Sequence, residues 1–583
     1  MRPYLAAFVL AFCAASVAAQ APKSVADRLA AQNALFDEQY ETDLKNFPER
    51  ATAFGDYRYN DRLNDFSLEA IARRHQTDES FLARLKAIST DGFSDQDQLS
   101  HDLLVRVLQQ RAADFALKEY EMPITQQGGI HTNLADLPLS VPFDSVKHYE
   151  DYISRLHQIP RALDQVTDVL RAGMKDKLMP VKFLAEKIPA QCEGIISSNP
   201  FLKPTTKYPD SISAEDQKRL TREITDAINT DVVPAYKKFA EFIRTEYAPQ
   251  GRTVLSITSL TDGQKRYEND IYARTTTHMS PDEIHQLGLR EVDRIEGEMT
   301  EIAKKQGFAD REAYHEYLKT NPKYIPKSAE QILDDFRHYI GQMQPKLPEL
   351  FTLLPKSPVT VEAIPAFQAA AATHYVTGTP DGKRPGRVVV ATSDYAHRSL
   401  VDDEAVAYHE GVPGHHMQLS VQQQLQGLPK FRLHGLFFSA YAEGWALYAE
   451  ELGKEVGFYQ DPASDYGRLS SELFRAVRLV VDTGIHAKGW SRDQVVDFMR
   501  KSGAVDEPTI QSETDRYISW PAQALSYKLG QLKIRELRDR AQKELGAKFD
   551  VRKFHDEILD GGTLPLDMLE ARTNKWIAAQ KAR

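Results

Sequence analysis

Cysteine is nearly absent: 583 residues hold only Cys13 and Cys192. Cys13 sits in a leader-like segment, so the mature chain keeps Cys192 alone, no internal disulfide can form, and stability must come from an apolar core. Basic clusters are missing too. The formal net charge is −10 and no Lys/Arg-rich block occurs, which argues against nucleic acid as a partner. Beyond the N-terminus no stretch approaches the roughly 18 apolar residues of a membrane span, so we expect no membrane span in the mature chain. Pro/Gly/Ser-rich linkers, low-complexity tracts and repeats of roughly 20–50 residues are also lacking. One continuous body is therefore expected, not beads on a string.

What is present begins with an address. Arg2 precedes an apolar run from Leu5 to Ala19, and Val17-Ala18-Ala19 before Gln20 suits a signal-peptide cleavage site. At ~1.5 Å per residue this run reaches about 22 Å, short of the ~30 Å hydrocarbon core. Residues 1–19 thus read as a cleaved signal peptide, and the protein as exported, periplasmic or secreted. Loss of Arg2 leaves the chain one unit more acidic. Leu10-Ala11-Phe12-Cys13 loosely resembles a lipobox, although bulky Phe12 argues against lipid attachment.

The remainder reads as mainly α. In Tyr149–Leu156 and Ala162–Leu170 apolar residues recur at three- and four-residue steps. Ser280-Pro281-Asp282-Glu283, Ser328-Ala-Glu-Gln331 and Ser491-Arg-Asp-Gln494 are capping boxes, and Gly503 suits the stop of the last helix. We expect a single helical body over 24–583, with an N-terminal helical lobe at 24–275 and a catalytic lobe at 276–583. The period changes between 357 and 393. Val359–Ile364 and Arg387–Thr392 are short β-branched runs separated by turn residues, which predicts a small inserted sheet. Its edge is suited to pairing with an extended peptide; a purely structural hairpin fits the same residues equally well.

Just after the insertion stands His409-Glu410-Gly411-Val412-Pro413-Gly414-His415-His416. The common zinc-peptidase pattern places histidines at i and i+4 of one helix with a glutamate beside them. Here i+4 is Pro413, which has no N–H for the His409 carbonyl and would crowd it. The helix must kink or bulge. Undistorted, it would put His416 on the face of His409; a two-residue bulge would put His415 there. Spacing leaves the choice open, with a lean to His415 because Pro413-Gly414 is where a bulge forms. By contrast, His315-Glu316 stands alone in a polar helical pattern and reads as surface.

A third ligand is expected from a neighbouring helix. Ser439-Ala-Tyr-Ala-Glu443-Gly-Trp-Ala-Leu-Tyr448 offers Glu443, a carboxylate on an apolar face that a divalent ion would compensate. A buried ion pair is the alternative. Glu450 and Glu451 are weaker candidates, because Lys454 at helix-pair spacing points to a solvated end. His434, among apolar neighbours, more simply packs. With His409, His415 and Glu443 as ligands, one Zn2+ per chain would hold a water, and Glu410 would serve as general base. Other divalent ions suit the same donors.

At these residues the chain resembles a large, mostly bacterial family catalogued as domain of unknown function 885. That family is reminiscent of the helical zinc peptidases of the angiotensin-converting-enzyme and thimet-oligopeptidase group. Its hallmark, His-Glu-x-x-Pro-Gly-His followed by Glu-Gly-Trp-Ala, stands here at 409–415 and 443–446. The resemblance implies His415 as the ligand and leaves His416 outside the motif. Pro123–Gln126 with Gly128, Ser280–Gly288, Asp482–His486 and Pro521–Gly530 also look like family blocks, so it covers roughly 120–580. By analogy with the helical zinc peptidases, Tyr527 is the expected oxyanion donor and His486 a second. Arg516 is a candidate for binding a substrate carboxylate, or else a helix-surface arginine paired with Glu513. The expected function is zinc-dependent hydrolysis of peptide bonds in oligopeptides, as a carboxypeptidase or oligopeptidase. The alternatives are hydrolysis of non-peptide amides and a catalytically inert exported peptide-binding protein.

Overall fold

The computed structural model describes residues 23–364 and 372–582. The expected leader at 1–19, with Cys13, lies outside the described residues. Helix α1, Val146–Asp176, shows how the pattern becomes packing: Ser145 caps its first turn. Tyr149, Tyr152, Leu156, Ile159, Leu163, Val166 and Leu170 follow at alternating three- and four-residue steps, and none is more than 2% exposed. Helix α2 spans Gly263–Thr275 and α3 Pro281–Lys305, the latter opened by the full Ser280/Glu283 capping box. Helix α4, Ala329–Met343, is capped by Ser328, but the Gln331 side chain accepts from Lys327 N at 2.8 Å, one residue earlier than a capping box requires. Ser491 and Gln494 form the complete box, and Gly503 ends that helix at φ 62°.

The helices that position the site come next in the chain. They are α5 Asp403–Glu410, α6 His415–Gln424, α7 Ser439–Glu455, α8 Pro462–Lys488, α9 Glu507–Ser519 and α10 Ser526–Leu545. Helix α3 lies along α8, close enough that a Cβ on Gly288 would meet Leu479 Cβ at 2.7 Å. Among the described residues no helix is long and apolar enough to cross a membrane. The chain is mainly helical, as expected.

The core does not divide at 275. Residues such as Leu35, Phe36, Leu103 and Leu104 share one cluster with Tyr408, Trp445, Ile534 and Ile577. Phe36 lies 5.0 Å from Phe431 between ring centroids, and Arg432 donates to Ser100 Oγ at 2.9 Å. Leu63 and core residues between Ile124 and Ala248, α1 included, make a second cluster of their own. The core residues from Leu35 to Ala51 and from Phe81 to Leu108 therefore belong with the C-terminal half. Periodicity marks each apolar stripe but not the stripe it will face.

The insertion at 357–393 contains a three-stranded sheet of order β1-β3-β2, with β1 Val359–Ala363, β2 His374–Val376 and β3 Gly386–Val390. The two β-branched runs seen in the sequence pair in parallel, Val359 opposite Gly386, so they are not the arms of a hairpin. The antiparallel partner of β3 is β2. Val388, Val389 and Val390 are buried in the central strand, which explains why β3 is apolar without alternation.

Candidate metal centre

The proline in the motif does more than kink a helix. Helix α5 stops at Glu410 and α6 begins at His415. Gly411 N donates to Ala407 O at 2.9 Å, Gly414 N reaches back to Tyr408 O at 2.9 Å, and His416 N takes Gly411 O at 3.1 Å. The Val412–Pro413 peptide is cis. A Cβ at Gly414 would sit 2.0 Å from His409 O and 2.4 Å from Tyr408 O, so only glycine lets the chain fold back this closely. Trp445 Nε1 donates to Pro413 O at 2.9 Å. The tryptophan of the second motif thus holds the loop of the first.

This interruption brings His415 beside His409, with ring centroids 4.9 Å apart and planes at 88°. Glu443 Oε2 lies 3.3 Å from His415 Nε2 and 3.6 Å from His409 Nε2. Around a tetrahedral zinc with bonds of ~2.0–2.2 Å, neighbouring donors stand about 3.3–3.6 Å apart. Both distances from Glu443 to the rings have that spacing. Glu410 offers an oxygen within 4.8 Å of both imidazole donors, yet no hydrogen bond or ion pair among the described residues occupies its carboxylate. Among the described residues Glu443 alone is within ion-pair reach of both rings, which makes it the better-placed candidate ligand, and the Glu410 carboxylate stands beside them without an ion pair.

The rings and carboxylates act on one another strongly. Burial pushes the His409 imidazolium down, but the Glu443 and Glu450 carboxylates outweigh it and raise its pKa to about 9. Burial likewise opposes charge on Glu443, and His409 and His415 overcome it, holding the carboxyl well below the usual range. A divalent ion would compensate the same buried carboxylate.

Glu450 corrects an expectation. Lys454 does not mark a solvated end for it; that lysine pairs with Asp465 at 2.6 Å. Glu450 is 1% exposed and accepts from His409 Nδ1 at 2.8 Å. This fixes the ring so that Nε2 faces the shared point, the buttress that metal-binding histidines require. Glu451 instead accepts from Gln531 and, at 3.0 Å, from Arg535. His416 is outside the centre: its Nδ1 meets Tyr375 OH at 3.0 Å and its Nε2 meets Ser357 O at 3.1 Å, tying α6 to the sheet. His434 packs with its ring 6.4 Å from that of Phe54.

Tyr527 reaches the centre through a close helix crossing. A Cβ on Gly444 would meet Gly530 Cα at 2.4 Å, and one on Gly530 would meet Ala440 O at 1.8 Å. Helices α7 and α10 therefore touch backbone to backbone, and Tyr527, one turn before Gly530, stacks 6.5 Å from the His409 ring at an interplanar angle of 19°. Its hydroxyl accepts weakly from Gln523 Nε2 at 3.5 Å and donates to no group among the described residues.

Residues 48–572 match the bacterial proteins of unknown function called DUF885. The chain belongs to that family. It is similar to the crystal structure of a protein from Colwellia psychrerythraea described provisionally as a lipoprotein, with 28% identity, a TM-score of 0.88 and coverage of 96% of this chain and 100% of that one. A second similar structure, from Shewanella oneidensis, carries the same provisional description and is of unknown function. At 18% identity, a TM-score of 0.71 and coverage of 94% and 99%, it shares the fold. No curated protein matches.

Other blocks of this DUF885 chain turn out to be scaffold. His486, expected as a second oxyanion donor, is fully buried. Its Nδ1 accepts from Ile257 N at 3.1 Å and its Nε2 donates to Tyr517 O at 2.9 Å, so neither nitrogen is left for a substrate. Burial pushes its pKa down to about 3, which keeps the ring neutral. Asp482 accepts from Ala522 N at 3.0 Å and from Tyr267 OH at 2.7 Å, anchoring the loop that leads to Tyr527. Arg516 is not a surface residue, but it is committed: its Nε and Nη2 pair with Glu513 at 2.9 and 3.1 Å, and its Nη1 donates to Gln523 at 2.8 Å. It supports the site from behind. Gln126, in another block, donates to Asp515 O and Ser519 Oγ, both at 2.9 Å, and so joins the N-terminal half to α9.

Proposed function

We propose that this DUF885 chain is a metal-dependent hydrolase of peptide bonds in oligopeptides, with His409, His415 and Glu443 holding a single zinc ion. The supporting observation is the spacing of the three donors around one point, with a free carboxylate, Glu410, next to it. A bound zinc ion would polarise the scissile carbonyl and acidify a water. Glu410 takes the proton of the attacking water and returns it to the leaving amine. The Tyr527 hydroxyl, with no acceptor among the described residues, donates to the oxyanion that develops on the carbonyl oxygen. Trp445 and Glu450 keep the ligands in register.

Export belongs to the same reading. Residues 1–19 carry leader features, and the provisional lipoprotein descriptions of both similar structures bring Cys13 back as a competing attachment point. The mass of the mature N-terminus separates cleavage after Ala19 from lipid on Cys13.

Metal analysis of the purified protein, paired with cleavage of a broad peptide library, tests the activity. We expect one zinc per chain, cleavage that stops with chelator and returns with zinc, and a Glu410→Gln variant that keeps metal but loses most turnover. Stoichiometric zinc without any cleavage would leave a peptide-binding protein; undiminished turnover in Glu410→Gln would remove Glu410 as the base.

A further inference from the structure

Resting on that reading, we propose that the guanidinium cluster beside Tyr527 forms an anion subsite, led by Arg475, for the free C-terminal carboxylate of a peptide substrate. Some arginines that leave the surface face carboxylates, as Arg294, Arg311 and Arg468 do, and others, such as Arg155 and Arg432, are held by carbonyl and hydroxyl oxygens. Arg475 is of the second kind, and it stands beside Tyr527. It is half-buried on α8 and makes no ion pair among the described residues. Two bonds to Ser471 on its own helix, at 2.6 and 3.2 Å, hold one end of the guanidinium. Its Nε is buried without a partner.

Two further arginines stand behind it. Arg478, 5% exposed, donates to Glu513 and to Tyr517 OH at 3.0 Å each, while its Nη1 is buried without a partner. Arg516 is the other. A single carboxylate, Glu513, thus pairs with Arg478 and Arg516, and among the described residues none forms an ion pair with Arg475. Asp402, at the start of the metal helix, lies within the field of Arg475 but forms no ion pair with it. An excess of fixed cation in a low-dielectric wall is costly unless an anion visits it.

The position fits a peptide terminus. The Arg475 guanidinium lies 5.9 Å and that of Arg478 4.5 Å from the centre of the Tyr527 ring, which in turn lies 6.5 Å from the ring of His409. Arg475 is therefore no more than roughly 12 Å from a ligand of the metal, a span that one to three extended residues cover at ~3.3–3.6 Å each. A substrate with its scissile carbonyl at the metal and its C-terminus one to three residues downstream would place its carboxylate against Arg475. Removal of short C-terminal fragments follows, in place of internal cleavage.

The test compares one labelled peptide with a free C-terminal carboxylate and the same peptide amidated, binding to zinc-loaded Glu410→Gln protein by fluorescence polarisation. A charge-assisted pair with arginine predicts roughly 10- to 100-fold tighter binding of the acid. Arg475→Gln should abolish that preference while leaving the amide's affinity in place, and Arg475→Lys should restore part of it. Equal binding of acid and amide to the parent protein overturns the subsite whether or not any variant folds. So does an Arg475→Gln protein that keeps the preference. An acid preference in a protein that cleaves nothing would sink the hydrolase reading and leave the subsite standing; cleavage of acid and amide alike would do the reverse.

Discussion

Replacing Glu450 with glutamine isolates the contribution of a residue that stands behind the proposed ligand His409. Glu450 accepts from His409 Nδ1 at 2.8 Å in a setting where the histidine is 2% and the glutamate 1% exposed. Glutamine keeps an acceptor oxygen at nearly the same place and removes the charge. The imidazole then loses the carboxylate that makes Nε2 a stronger donor to a cation. Outer carboxylates of this kind typically change metal affinity by about 10- to 100-fold, equivalent to ~1.4–2.8 kcal/mol. The assay is competition for zinc against a chromophoric chelator, on protein whose melting temperature is checked alongside. Glu451→Gln is the internal control, because Glu451 faces Gln531 and Arg535 and not the centre. We expect weaker zinc binding in the first variant and unchanged binding in the second. Equal affinities for the parent and Glu450→Gln, or equal losses in both variants, would refute the buttress.

Other substitutions probe the remaining geometry. His415→Ala should lose metal, whereas His416→Ala should keep it and lower the melting temperature, since Tyr375 and Ser357 lose partners worth about 1–3 kcal/mol; the opposite pattern of metal loss would reverse the assignment. Gly530→Ala places a methyl 1.8 Å from Ala440 O, so calorimetry should show a loss of about 1–3 kcal/mol or more. An unchanged unfolding curve would mean that the two helices do not touch as described. Tyr527→Phe should lower kcat by about 10²–10³-fold with little change in substrate binding, and an unchanged kcat would assign the ring to packing alone.

The local parts of this structure were legible in the residues. The apolar steps of α1, the Ser280 and Ser491 boxes and the stop at Gly503 are decided within a few positions of one another. Pro413 announces an interruption, and Glu443 stands out because its neighbours on the helix are apolar. What needed coordinates is tertiary. Glu450 lies seven residues after Glu443 on the same helical face, a signal that could have identified it, but Lys454 pointed elsewhere until Asp465 was seen to claim that lysine. His486 resembles a functional histidine until two backbone groups from distant segments occupy its ring. Parallel pairing of β1 with β3 and the place of Arg475 beside Tyr527 depend on chain paths that no local pattern encodes.

The bond from Trp445 to the carbonyl of Pro413 has a consequence for how the centre is assembled. It fastens the turn between the two imidazoles to the residue two places beyond the acidic ligand, so the three donors are preorganised by the fold before any ion arrives. Chelation should then empty the site without unfolding the protein, and reloading should proceed at the pace of ion entry, with no refolding step in between.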